Sequence, residues 1–105
     1  MKIISWNVNG IRAAINKGFF EFVKNENPEI ICIQETKMNA GQADINIDGY
    51  ELYMNSCKIK KGYSGTAVYT KVKPINVTYD IGIVEHDMEG RVITLEYNDY
   101  YLVYL

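Results

Sequence analysis

Two asparagines follow the first predicted strand of the chain. Residues 2–6 are mostly β-branched or aromatic, which predicts a strand, and Asn7 and Asn9 lie in the polar segment directly after it. In open α/β sheets ligands bind at the carboxyl ends of the strands. An asparagine side chain both donates and accepts hydrogen bonds, so it can orient a carboxylate or a metal-bound water. Spacing alone favours the plainer alternative, in which both residues are turn and cap residues before a helix.

An acidic residue follows the second apolar segment. Residues 30–33 form a short continuous apolar run, which is typical of a strand buried on both faces. If this strand lies parallel and adjacent to the first, Glu35 lies beside Asn7. A carboxylate there could hold Mg²⁺, which prefers oxygen ligands, and Lys37 could contact a phosphate. The alternative is a solvated acid and a surface lysine at a strand end.

Two other polar clusters could carry chemistry. Residues 58–65 form the only basic cluster and include Tyr63 between small residues. Lysines there could neutralise phosphates, and the tyrosine could enter a DNA groove. Residues 85–91 combine His86 with acidic neighbours, which suggests a metal or acid–base site. The alternatives are a flexible turn with solvated lysines and a polar loop in which Arg91 pairs with a nearby acid.

The elements around these residues predict an α/β arrangement. Apolar residues recur at helical spacing from Ile11 to about Asn25, with Gly18 weakening the pattern and Pro28 ending it. Strand, helix and second strand together predict a βαβ unit with a parallel pair. Residues 36–49 predict a long loop. The remaining strands are predicted at 50–55, 66–70, 75–81, 91–97 and 100–105, with a hairpin turn at 98–99.

Composition limits the range of functions. The chain has 105 residues, 48% of them hydrophobic, so it contains one domain at most. Its net charge of −2 excludes a globally basic nucleic-acid binder, so DNA binding would need a local cluster, a divalent cation or other residues. The two cysteines form no disulfide or zinc pattern, and Cys32 is predicted to be a buried thiol. Without a signal peptide or a membrane-spanning stretch, the predicted location is the cytoplasm.

Four segments, taken in order, resemble the exonuclease III/AP endonuclease family of the endonuclease/exonuclease/phosphatase superfamily. They are residues 5–13, 28–37, 62–65 and 86–91. The second, a Pro-acid-apolar-Gln-Glu-Thr-Lys segment, is close to a family signature. The chain departs from the family at Glu29, where aspartate is usual, and at Asn9, where some members have aspartate. The second departure implies a weaker hold on a metal ion or its water.

The resemblance implies the fold and the extent of the domain. It predicts an α/β protein with half of a four-layer, DNase I-like α/β sandwich, containing one mixed β-sheet with a helix on its outer face. Residues 1–105 are then the N-terminal part of a single, truncated domain. The missing C-terminal half, or a dimer partner, is expected to cover the inner face of the sheet. An apolar last strand with no polar tail agrees with this expectation.

The resemblance also implies roles for residues of this chain. Glu35 is similar to the family's metal-binding glutamate, Asn7 to the asparagine that holds the active-site hydrogen bonds, and Asn9 to the residue that reaches the metal. The DNA contacts carried over are Arg12 and Tyr63, with Lys37 as a weaker candidate near the phosphate.

The implied function is Mg²⁺-dependent hydrolysis of DNA phosphodiester bonds in base excision repair, with Mn²⁺ as a possible substitute. The implied substrate is abasic or damaged duplex DNA, cut by an AP endonuclease with 3′→5′ exonuclease activity, and no membrane is involved. Nothing in the chain matches the family's catalytic tyrosine, Asp-x-Asn pair or Asp-His pair, so the chain alone is expected to be inactive. Two alternatives stay open: a phosphoesterase of the same superfamily acting on a lipid or small phosphodiester, and a non-catalytic truncated fragment.

Overall fold

The computed structural model describes residues 1–37, 46–55, 65–79 and 92–104, which form two helices and two β-sheets. The first part of the chain contains β1 (Ile3–Asn7), α1 (Ile11–Asn16), α2 (Phe19–Glu26) and β2 (Ile30–Gln34). The second part contains β3 (Glu51–Asn55), β4 (Thr66–Thr70), β5 (Asn76–Tyr79), β6 (Ile93–Glu96) and β7 (Tyr101–Tyr104). No helix in these ranges is long and apolar enough to cross a membrane.

The first sheet is mixed and has the strand order β1-β2-β4-β3. Strands β1 and β2 run parallel, with Asn7 opposite Gln34, while β4 runs antiparallel to both β2 and β3. This confirms the predicted parallel pair. Because the carboxyl ends of β1 and β2 meet at one edge of the sheet, the residues that follow them are brought together there.

The helical segment between β1 and β2 is broken in two. The sequence predicts one helix from 11 to about 25, whereas α1 ends at Asn16 and α2 begins at Phe19. Gly18 lies between them with φ of 99°, in the left-handed region that L side chains rarely adopt. The prediction of one continuous helix is therefore wrong, because the glycine allows a change of direction that periodicity does not reveal.

Replacing Gly18 with alanine is expected to lower the free energy of unfolding by about 1–2 kcal/mol. The reason is backbone strain alone, because a Cβ at this position meets no atom within 4 Å. Urea unfolding followed by circular dichroism measures the change. Gly18→Asn is the matched control and should lose less, since asparagine tolerates the left-handed region; equal losses would contradict the explanation.

The helices cover one face of the first sheet. Alternate residues of β2 and β4 point towards them, and these residues form the first core together with buried residues of the helical segment: Val8, Ile11, Ala14, Phe19, Val23, Ile31, Ile33, Ala67 and Tyr69. Trp6 packs at the rim of this core, against Phe19 and Phe22. Burial of this apolar face fixes the helices on the sheet and thereby the connections that follow β1 and β2.

The other face of the first sheet is covered by a second sheet, antiparallel and ordered β5-β6-β7. The core between the sheets consists of Ile30, Cys32, Val68, Ile93, Leu95, Tyr97 and Tyr104. The expectation of one sheet is thus corrected: a second sheet is present, and the alternating apolar residues of β6 pack on that face. The chain forms three layers, namely helices, mixed sheet and antiparallel sheet.

The predicted buried thiol and hairpin are both confirmed. Cys32 is 3% exposed between the sheets, and burial raises its pKa to about 11. The β6–β7 connection is closed by the Tyr97 amide, which donates to the Tyr100 carbonyl at 2.9 Å around residues 98–99. Tyr101 lies on the outer face of β7 and is 67% exposed.

Candidate active site

Asn7 and Glu35 meet at the carboxyl ends of β1 and β2. The side-chain amide of Asn7 donates a hydrogen bond through Nδ2 to Oε2 of Glu35. The predicted proximity of these two residues, which are 28 positions apart in sequence, is confirmed. The Asn7 amide thus holds Oε2 of the Glu35 carboxylate, and this hydrogen bond does not involve the second oxygen, Oε1.

The orientation of the Asn7 side chain is fixed by a second hydrogen bond. The backbone amide of Asn9 donates to Oδ1 of Asn7 at 3.0 Å. Because an amide oxygen must face this donor, Nδ2 is the atom turned towards the carboxylate. Asn7 therefore acts as a donor to Glu35 and positions it.

The two connections that follow the strands are joined by backbone hydrogen bonds. Amides of Val8, Gly10 and Ile11 donate to the carbonyls of Gln34, Glu35 and Thr36 at 3.1, 2.7 and 3.0 Å. The Thr36 amide in turn donates to the Gly65 carbonyl at 3.1 Å, just before β4. These bonds extend the parallel ladder beyond the strand ends, so the candidate site is held by backbone pairing rather than by side chains alone.

Strained backbone is concentrated at this site. Among the described residues other than glycine, four have positive φ, and three of them are Asn9 (47°), Glu35 (52°) and Lys37 (56°). Asparagine adopts this region readily, but Glu and Lys do so at a cost of about 1–2 kcal/mol each. Such strain persists where the surrounding structure imposes it and is common at functional sites.

Lys37 lies close to Asn9, whereas Arg12 stands apart. The Lys37 ammonium donates a hydrogen bond through Nζ to Oδ1 of Asn9. Gly10, which has φ of 97°, lies beneath the lysine stem, since a Cβ there would lie 3.9 Å from Lys37 Cδ. Arg12 is exposed on the first turn of α1. The structure therefore brings together Asn7, Asn9, Glu35 and Lys37, with Arg12 at the margin.

Two residues next to the site were not singled out from the sequence. Gln34 donates through Nε2 to Ser5 Oγ at 3.0 Å, which ties β1 to β2 directly behind the Asn7–Glu35 pair. A signal for them exists in the sequence. Ser5 precedes Asn7 by two positions and so shares its face of the strand, and Gln34 is the register partner of Asn7.

Several predicted site residues lie outside the described residues. Tyr63 and the lysines of residues 58–61 fall in the range 56–64, and the cluster at 85–91 falls in 80–91. Only Gly65 of the basic cluster is described; it is buried and accepts the hydrogen bond from Thr36. The roles assigned to those residues from the sequence stay predictions.

A groove of about 740 Å³ lies at the opposite edge of the first sheet, between α2 and residues 46–50. Lys71 borders it, but its ammonium bonds Asn27 Oδ1 and lies 5.5 Å from the centre of the Tyr50 ring. Asp48 adds a negative charge to the same wall. The groove is therefore separate from the site at which Asn7 and Glu35 meet.

The donor set at the strand ends suits a hard divalent cation. Glu35 offers a half-buried carboxylate, and Asn9, on the adjoining connection, offers an amide oxygen that accepts a hydrogen bond from Lys37 Nζ. Within the described ranges no group of three or more His, Cys, Asp or Glu residues forms a cluster of metal ligands. Mg²⁺ does not need such a cluster, because it keeps several waters and commonly binds proteins through one or two carboxylates. The residues present therefore fit Mg²⁺ better than zinc.

Comparison with known proteins identifies the family. The model of the Endonuclease/Exonuclease/phosphatase family matches residues 4–105. The chain belongs to the endonuclease/exonuclease/phosphatase family. Within it, the chain is 52% identical over 104 residues to an exodeoxyribonuclease of Bacillus subtilis, covering 98% of this chain and 41% of that protein. It is 50% identical over 105 residues to a DNA-(apurinic or apyrimidinic site) endonuclease of Dictyostelium discoideum, covering 98% and 29%.

Solved structures of the family share this fold. An AP endonuclease from Archaeoglobus fulgidus matches with a TM-score of 0.82 and 25% identity, covering 98% of this chain and 39% of that one. An AP endonuclease from Leishmania major matches with a TM-score of 0.72 and 31% identity, covering 97% and 38%. These matches confirm the α/β class and the half of a DNase I-like sandwich. The chain spans between 29% and 41% of the length of these relatives.

Proposed function

We propose that this chain contributes one side of the active site of a Mg²⁺-dependent DNA-repair nuclease, an AP endonuclease with 3′→5′ exonuclease activity. The observation that carries the proposal is the hydrogen bond between Asn7 and Glu35 at adjacent ends of two parallel strands. The names of the relatives in Bacillus subtilis and Dictyostelium discoideum support the substrate class.

The proposed roles follow from the geometry of the site. Asn7 holds the Glu35 carboxylate in one orientation, and its own orientation is held by the Asn9 amide. Glu35 and Asn9 would hold the Mg²⁺ or Mn²⁺ ion. A divalent cation bound there supplies Lewis-acid stabilisation of the negative charge that develops on the reacting phosphate. The backbone hydrogen bonds between the two short connections keep these groups in place before substrate binds.

We assign the contacts with abasic or damaged duplex DNA to Arg12, Lys37 and Tyr63. Arg12 and Lys37 carry positive charge on exposed surface at the same edge of the sheet as Glu35. The whole chain has a net charge of −2, so attraction to the DNA backbone must be local. Tyr63 is assigned from the sequence segment alone.

We further propose that residues 1–105 form the N-terminal part of one family domain and that a companion segment completes it. This rests on coverage of 41% of the Bacillus subtilis relative. Hydrolysis also needs a general base for the attacking water. We expect that base to come from the companion segment, so the isolated chain should be inactive. The cytoplasm, which keeps a thiol such as Cys32 reduced, is the proposed location.

A chimera tests the proposed function. Residues 1–105 replace the aligned segment of the Bacillus subtilis exodeoxyribonuclease, whose 52% identity favours correct packing of the companion part. The expected result is Mg²⁺-dependent nicking of an end-labelled duplex at a single abasic site, with no nicking by the isolated chain. The unaltered relative serves as the positive control, and EDTA should abolish the activity.

Two results would count against the proposal. One is a chimera that folds, as judged by its melting transition, but does not cut DNA that the unaltered relative cuts under the same conditions. The other is cleavage of a phospholipid or small phosphodiester in preference to DNA, which would favour a phosphoesterase of different substrate class. Nicking by the isolated chain would contradict only the proposed need for a companion segment.

A further inference from the structure

We infer that Lys37 gates the candidate cation site: its ammonium is bonded to the same Asn9 oxygen that would face the cation, so cation binding releases Lys37 towards the phosphate of a bound substrate. The inference rests on the proposed function and adds an order of events, in which the metal binds first and the lysine becomes available second. It assigns Lys37 two alternative positions rather than one fixed contact.

One hydrogen bond holds Lys37 in this position, and the local backbone leaves room for its side chain. Its Nζ donates to Asn9 Oδ1 on the first connection, and its backbone has φ of 56°. Gly10 presents no side chain beneath the lysine stem. Glu35, the proposed cation ligand, lies two residues before Lys37 on the same short connection.

Charge repulsion makes the Lys37 ammonium and a bound cation compete for the position beside Asn9. An ammonium and a divalent cation that share one amide oxygen lie within roughly 4 Å of each other, where like charges repel appreciably even in a high dielectric. Asn9 is neutral, so it does not offset this repulsion as an aspartate would. A bound cation should therefore displace the ammonium from Asn9, and the exposed lysine can turn towards an anionic ligand without crossing the core.

A purely structural role for Lys37 makes a different prediction. If the lysine only links the two connections through its hydrogen bond, its removal makes Asn9 less ordered and lowers the affinity of the site for a cation. If it acts as a gate, removal of its charge raises that affinity. Lys37→Gln separates the two cases, because glutamine keeps a hydrogen-bond donor and loses the charge.

The test measures Mn²⁺ binding to the isolated chain at low ionic strength, from the electron paramagnetic resonance signal of the free ion. Lys37→Gln is expected to bind Mn²⁺ about three- to tenfold more tightly than the unaltered chain, and Lys37→Arg about as tightly as the unaltered chain. The gain should shrink when salt is raised, because the ammonium is exposed. Lys73→Gln removes the same charge at the opposite edge of the sheet and should change the affinity by less than about 1.5-fold.

The outcomes separate the gate from the proposed site. Glu35→Gln is run in parallel and should weaken binding if the cation site is real. Unchanged or weaker binding by Lys37→Gln, while Glu35→Gln still weakens it, overturns the gate and leaves the site standing. Mn²⁺ binding that is insensitive to Glu35→Gln overturns both, because the cation would then be bound elsewhere.

Discussion

Glu35→Gln in the chimera with the Bacillus subtilis relative is expected to lower kcat/KM for cleavage of abasic duplex DNA by about 10²–10³-fold. Glutamine has nearly the shape of glutamate and can still accept the hydrogen bond from Asn7 Nδ2, so the loss reports the missing negative charge. Single-turnover cleavage of an end-labelled duplex, at saturating and subsaturating Mg²⁺, measures the effect. Part of the loss should be recovered at high metal concentration.

Glu29→Gln is the matched control for this substitution. Glu29 precedes the same strand at its other end, where Oε2 accepts a hydrogen bond from the Lys2 amide at 2.8 Å. It carries the same carboxylate group but lies far from the candidate site, so activity should change by less than about twofold. A loss below tenfold for Glu35→Gln, in a variant with an unchanged melting transition, would remove Glu35 from the catalytic site.

Phe19→Ala is expected to reduce the free energy of unfolding by about 3–5 kcal/mol. The ring is fully buried beneath α2, with its centroid 5.6 Å from that of Trp6 and 6.4 Å from that of Tyr69. Its loss leaves a cavity between the helices and the first sheet. Because small domains have only about 5–15 kcal/mol of stability in total, a large fraction of the variant could be unfolded at room temperature. Urea denaturation monitored by tryptophan fluorescence measures the change, since Trp6 borders the cavity.

Phe20→Ala provides the comparison for Phe19 within the same helix turn. Phe20 is 40% exposed, so its truncation should cost about 1 kcal/mol or less. Similar losses for the two variants would mean that the helical layer does not pack on the sheet as described. A small loss of stability for Phe19→Ala would mean that neighbouring core side chains move into the cavity.

The strands and the site geometry could be predicted because their signals are local. The apolar run at 30–33 is too short to form a helix before Glu35, so it predicts a strand. Because one helical segment separates this strand from the first, the two strands are expected to be parallel neighbours. Once β1 and β2 are parallel neighbours, Asn7 and Glu35 must lie at the same edge of the sheet. A periodic pattern and one rule of topology were sufficient for this part.

Other features could not be predicted because they depend on contacts distant in sequence or on backbone angles. Nothing local to Gly18 shows whether the chain bends there or continues as a helix. The residues of β6 alternate between buried and half-buried, which does not reveal which sheet they join. Lys37, which bonds Asn9, has left-handed backbone, and φ values of this kind have no sequence signature in lysine.

The position of β1 at the border of its sheet has a practical consequence. In the described part of the chain, β2 is its only hydrogen-bonding neighbour, so the other side of β1 presents a row of backbone donors and acceptors next to Asn7. Such a row can recruit another extended chain, including an identical molecule. Concentrated solutions of residues 1–105 should therefore oligomerise through β1, and any molecule stacked there would bury the very surface on which DNA is expected to bind.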